Sequence, residues 1–126
     1  MSWFTALLAH LESKRAPQVE RSVVEQQRVD RLANSLTLYV VPSCTLCLRI
    51  RRHLKNLNVS VTVKDLKRCH IYEKELFAGG GKAQVPCLRV EKGQKSQWLF
   101  EFDEIVRYLD KKFAPKAQLD KIGQAQ

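Results

Sequence analysis

Val40-Val41-Pro42-Ser43-Cys44-Thr45-Leu46-Cys47-Leu48-Arg49 is the stretch that decides the fold: a β-branched run stops at a proline, and two cysteines open a helical pattern. A strand that ends there places the Cys44 sulfur in the first turn of the next helix, where unpaired backbone N–H groups and the dipole favour the thiolate. Only the thiolate attacks disulfides or binds metal, and two cysteines two residues apart can close a disulfide or share an ion.

Outward from this stretch the apolar pattern becomes regular. Leu36–Val41 reads as a buried strand. Cys44–Leu57 reads as a helix with Leu48, Ile50, Leu54 and Leu57 inward, and Val59–Val63 as a second strand. This βαβ unit requires parallel strands, so the Cys44 turn lies at a strand's carboxyl end, where open α/β sheets keep their sites. A helix over about Cys69–Ala78 follows, with Ile71, Leu76 and Phe77 inward, and Gly79-Gly80-Gly81 ends it. A phosphate loop is disfavoured, because the glycines lead out of a helix and no Lys-Ser/Thr follows. Val85–Val90 is then a strand opened by Pro86, with Lys95–Phe100 as its hairpin partner. Phe102, Ile105, Val106, Leu109 and Phe113 recur at helical spacing in a last helix, with Asp103 and Glu104 in its first turn and Lys111-Lys112 in its last.

Upstream, Trp3, Phe4, Leu7, Leu8 and Leu11 form an apolar stripe far shorter than the ~20 residues of a membrane span. It suits an amphipathic helix packed on the domain or a second copy, or a peripheral membrane anchor. Val19–Ala33 reads as a polar helix with a Ser22-x-x-Glu25 start. The expected organisation is an extension over 1–35, a domain over 36–115 and a tail over 116–126.

The chain has 126 residues, room for a single core without disulfide staples, and its four cysteines, Cys44, Cys47, Cys69 and Cys87, point to a reducing, cytoplasmic setting. The net charge of +9 speaks to partners rather than fold. It is scattered, without a basic block or interleaved aromatics, which argues against nucleic acid. Zinc on Cys44, Cys47, Cys69 and His70 is disfavoured by the lack of a second compact ligand pair, so no metal is assigned. His10 and His53 read as solvated helix residues.

The order β-α-β-α-β-β-α, with Cys44-Thr45-Leu46-Cys47 after the first strand, Val85-Pro86 opening the third, and Trp98-Leu99-Phe100-Glu101-Phe102-Asp103 leading into the last helix, resembles the glutaredoxin branch of the thioredoxin fold. The last segment also looks like its counterpart in glutathione-transferase N-terminal domains. The resemblance covers about Leu36–Phe113 and implies an α/β, three-layer domain. It also implies a cis peptide before Pro86, with the Val85 backbone pairing with glutathione, while Glu101, Phe102 and Asp103 take its γ-glutamyl end. The implied activity is that of a dithiol glutaredoxin. Cys44 attacks protein or glutathione mixed disulfides, Cys47 resolves them, glutathione is the co-substrate, and Cys87 is a candidate accessory thiol. A [2Fe–2S] carrier and a noncatalytic interaction module are the alternatives. Thr45-Leu46 replaces the family's Pro-aromatic pair, Val41 its lysine and Phe102 a small polar residue, which leaves Arg49, Arg51 and Lys82 as candidate sources of positive charge.

Overall fold

The computed structural model describes residues 18–115. The Trp3–Leu11 stripe, His10 and the 116–126 tail lie outside the described residues. In chain order the elements are α1 (Val23–Ala33), β1 (Leu36–Val40), α2 (Thr45–Asn56), β2 (Thr62–Asp65), α3 (His70–Gly80), β3 (Cys87–Lys92), β4 (Lys95–Leu99) and α4 (Phe102–Phe113).

The sheet runs β2-β1-β3-β4. β1 pairs in parallel with β2, Val40 opposite Asp65, and antiparallel with β3, Tyr39 opposite Cys87. All five β1 residues are buried, as a strand needs when it has neighbours on both edges and layers on both faces. Strand alternation sorts the core. Leu36, Leu38, Val40, Leu88, Val90 and Leu99 meet α1, α2 and α4 on one face, whereas Tyr39 and Cys87 meet Leu76 of α3 and Leu66 on the other. The result is the three-layer α/β arrangement that the family resemblance implies.

Several boundaries and phases differ from expectation. α1 begins at Val23, not Val19, and Ser22 Oγ accepts the Glu25 N–H at 3.1 Å. The described part of the 1–35 extension packs on the domain. Val29 and Ala33 are buried in the main core, Val19 N–H donates to Asn56 O at 2.8 Å, and the Arg21 guanidinium donates to Phe113 O at 2.6 Å. β2 begins at Thr62 because the chain after α2 first turns back: Asn58 adopts a left-handed φ of 57°, and Val59 N–H returns to Leu54 O, burying Val59 in the core ahead of any ladder. β3 starts at Cys87, after the proline.

Ile71 and Phe77 of α3 and Leu48 of α2 point outward rather than inward, being 58%, 62% and 50% exposed. α3 runs on through Gly79 and Gly80 and ends at Gly81, whose φ of 85° requires glycine. A side chain at Gly79 would start 2.1 Å from the Trp98 ring, and one at Gly80 2.7 Å from Phe100. Bare backbone therefore makes the contact with the β4 layer, and Phe77 is left to solvent.

One carboxylate ties α3 to the sheet. Glu75 accepts a hydrogen bond from the Tyr39 hydroxyl, pairs with Lys64 Nζ at 2.6 Å and lies 3.5 Å from the Arg89 guanidinium, so it bridges β1, β2 and β3. Partial burial opposes its ionisation, but the Lys64 and Tyr39 hydrogen bonds outweigh that and hold its pKa below the usual carboxylate range. Tyr39 stacks on Trp98, with ring centroids 5.7 Å apart.

Candidate active site around Cys44

The Val41–Ser43 turn carries the chain from β1 into α2, with Cys44 N–H donating to Val41 O at 3.2 Å. Cys44 is the N-cap, in extended conformation, and its Sγ accepts the Cys47 N–H at 3.1 Å. A sulfur there meets the free donors and the positive end of the helix. Cys44 is half-buried and Cys47 buried, and both are free thiols. Burial, followed by its hydrogen bond to the Cys44 sulfur, pushes the Cys47 thiol up to about 12. One cysteine of the pair is thus reachable, while its neighbour is held protonated beneath it.

The Val85-Pro86 peptide is cis. Continuing the Tyr39–Cys87 register by two residues sets Val85 opposite Val41, three residues before Cys44. Among the described residues neither the N–H nor the C=O of Val85 has a backbone hydrogen-bond partner. Val85, Cys44 and Phe102 all pack on the same core cluster. Phe102 opens α4 behind Glu101, an N-cap whose side chain makes no capping bond, and Asp103 is exposed in the first turn.

Of the three candidate cations, Arg49 is the one at this end of α4, its guanidinium 4.7 Å from the Phe102 ring centroid. Lys82 lies over Phe100, 4.6 Å from the centroid. Arg51 lines a cleft with Leu54, Lys55 and Val59 at the far end of α2 from Cys44. Cys87 follows Pro86 but is fully buried, and burial pushes its thiol up to about 12, the placement of a core residue. Cys69 caps α3 half-exposed, without a side-chain capping bond. Among the described residues no three His, Cys, Asp or Glu side chains gather where they could share a metal, so Cys69 and His70 do not join the Cys44-Cys47 pair.

Sequence reasoning missed one contact in the α2–α4 layer, toward the end of α2 opposite Cys44. His53, read as solvated, is half-buried, with Nε2 2.6 Å from Asp110 Oδ1, and this pair fastens α2 to α4. The partners are 57 residues apart, and nothing local announces the contact.

A four-stranded mixed sheet between helical layers, with a cysteine capping the helix after β1 and a cis-proline leading into the neighbouring strand β3, defines a thioredoxin-fold domain. Residues 43–112 match the model of the glutathione S-transferase N-terminal domain, and the chain belongs to that thioredoxin-fold, glutathione-binding family. No curated protein sequence matches it. Among solved structures it is similar to the trimeric glutathione transferase TDR1 of Leishmania, with 26% identity, TM-score 0.53, and 64% of this chain and 18% of that one covered. It is also similar to the thioredoxin-like protein BC3987 in a mutant form, with 18% identity, TM-score 0.50, and 60% and 95% covered. A third is maleylacetoacetate isomerase of Anaeromyxobacter dehalogenans, solved with bound dicarboxyethyl glutathione, with 21% identity, TM-score 0.49, and 65% and 36% covered. The chain thus spans about a third of that isomerase's length and less than a fifth of the Leishmania transferase's.

Proposed function

We propose that this protein is a glutathione-dependent thiol–disulfide oxidoreductase of glutaredoxin type, with Cys44 as the nucleophile. The observation that carries the reading is the Cys44 sulfur at the N-cap of α2, accepting the Cys47 N–H at 3.1 Å, with Cys47 buried behind it. The Cys44 thiolate attacks the glutathione sulfur of a mixed disulfide, a Cys44–glutathione disulfide forms, and the substrate's sulfur leaves as thiolate and takes a proton from water. A second glutathione thiolate then attacks the bound glutathione sulfur, so oxidised glutathione departs and the Cys44 thiolate is restored. With a protein disulfide, Cys47 is the resolving thiol: its sulfur bonds to Cys44, and its proton goes to the substrate sulfur released. The burial that pushes the Cys47 thiol up makes this the slower exit.

The Val85 N–H and C=O are suited to pair with the extended backbone of glutathione, as an added strand would. Its γ-glutamyl end would lie at the first turn of α4, near Phe102 and Asp103, with Arg49 supplying positive charge beside it. A reducing, cytoplasmic setting is part of this proposal and rests on the cysteine usage of the sequence alone.

The test is mass spectrometry of Cys47→Ser after incubation with oxidised glutathione. A single adduct mapped to Cys44 and removed by reduced glutathione supports the reading. An adduct at Cys69 alone, or none, overturns it.

A further inference from the structure

α2 carries Arg49, Arg51, Arg52 and Lys55, all exposed, and no acidic residue in its twelve positions. Among the described residues none of these four forms an ion pair, whereas Arg28, Lys64 and Arg89 each meet a carboxylate. With Cys47, Ile50 and Leu54 buried, helical spacing sets Leu48, Arg52 and Lys55 in one outward line, Arg49 beside it. Leu48, half-exposed, is an apolar spot between Cys44 and the cations Arg51 and Arg52 one turn further on. That combination, an apolar spot next to the thiol with a charged flank, suits contact with a protein.

We propose that this face of α2 is a docking surface for acidic segments of disulfide-bearing protein substrates. The inference rests on the exchange chemistry proposed for Cys44, at the amino end of the same helix. Charge complementarity asks for an anionic occupant, and that occupant must deliver a disulfide to Cys44. Among common polyanions only a protein carries one, which favours an acidic protein over nucleic acid or lipid. Length sets the reach. Lys55 lies about 16 Å along the axis from Cys44 at ~1.5 Å per residue, and an extended segment covers that in about five residues at ~3.3 Å each. The preferred substrates therefore carry Asp or Glu within about five residues of the reacting cysteine.

The test uses the full-length protein and peptides bearing one cysteine disulfide-linked to glutathione, followed by five residues rich in Asp/Glu or in Lys. In a glutathione-coupled assay at low salt, the acidic peptide should show a KM about tenfold below that of the basic one. The gap should close as salt shortens the screening length, and kcat should stay similar. Arg52→Glu with Lys55→Glu should erase the preference while leaving reduction of the small neutral disulfide of mercaptoethanol unchanged. Fluorescence anisotropy of the same peptides with serine for cysteine reads the surface without chemistry, so failure of the Cys44 reading and failure of the surface are told apart. Equal binding of both peptides at low salt overturns the proposal. So does tighter binding of a single-stranded oligonucleotide or anionic vesicles that the double variant abolishes.

Discussion

The four cysteines should divide into two reactivity classes, and the structure sets the gap between them. Cys44 and Cys69 are half-exposed, whereas Cys47 and Cys87 are 1% and 0% exposed. Cys87 is the simpler case, because burial is the main cause that pushes its thiol up to about 12. At about pH 8 a thiol of that strength is ionised in roughly one molecule in ten thousand, against about a quarter of molecules for an ordinary thiol near 8.5. Ionisation alone then slows alkylation by a factor of about two thousand, before burial blocks access. The assay is timed iodoacetamide labelling followed by peptide mapping, in native buffer and in concentrated guanidinium. Native protein should take label rapidly at Cys44 and Cys69 only, and unfolded protein at all four. Labelling of Cys87 or Cys47 in the native state at a rate near that of Cys69 would refute the burial argument.

Replacing Glu75 with Gln should lower stability by about 1–3 kcal/mol, measured by urea unfolding, because Lys64 and Arg89 lose the charge they share across three strands. Since the folded pKa of Glu75 is depressed, the wild type's advantage over this variant should be complete above the unfolded carboxylate range and fade as pH falls through the lower folded value; an advantage constant down to strong acid counts against the network. Gly79→Ala sets about 1 kcal/mol of helix propensity against the 2.1 Å approach to Trp98, a ring fixed by Tyr39 and Arg89. Overpacking of about 1–3 kcal/mol should win, so Tm falls, and a rise would contradict the close packing of α3 on β4. Asp110→Asn should cost about 0.5–1.5 kcal/mol by loosening α2 from α4 through His53, and an unchanged unfolding midpoint would deny the pair a structural role.

Local chemistry made much of the fold legible. The proline and paired cysteines mark the β1–α2 junction, Ser22 with Glu25 marks the cap of α1, and the apolar spacing from Phe102 to Phe113 gives α4. Phases failed where a contact needs no side chain. α3 packs through Gly79 and Gly80, so its apolar residues at Ile71 and Phe77 carry no record of which way the helix faces. Val59 and Val61 have strand chemistry yet serve the core edge beyond α2, which displaced the expected start of β2. Glu75 and the His53–Asp110 pair were unreadable for another reason: a charged side chain on a helix looks solvated until distant strands or helices are assembled around it. At the site, the thiol pair follows from nearby residues and the cis peptide before Pro86 from the family resemblance, while the choice of Arg49 over Arg51 and Lys82 depends on how α2 meets α4.

The most direct test is glutathione-coupled reduction of a mixed disulfide by the wild type, Cys44→Ser and Cys47→Ser. Serine is itself a good N-cap, so Cys44→Ser removes the nucleophile with little cost to the helix. The account predicts that Cys44→Ser abolishes turnover while Cys47→Ser keeps most of it on glutathione mixed disulfides. Undiminished turnover in Cys44→Ser would contradict it.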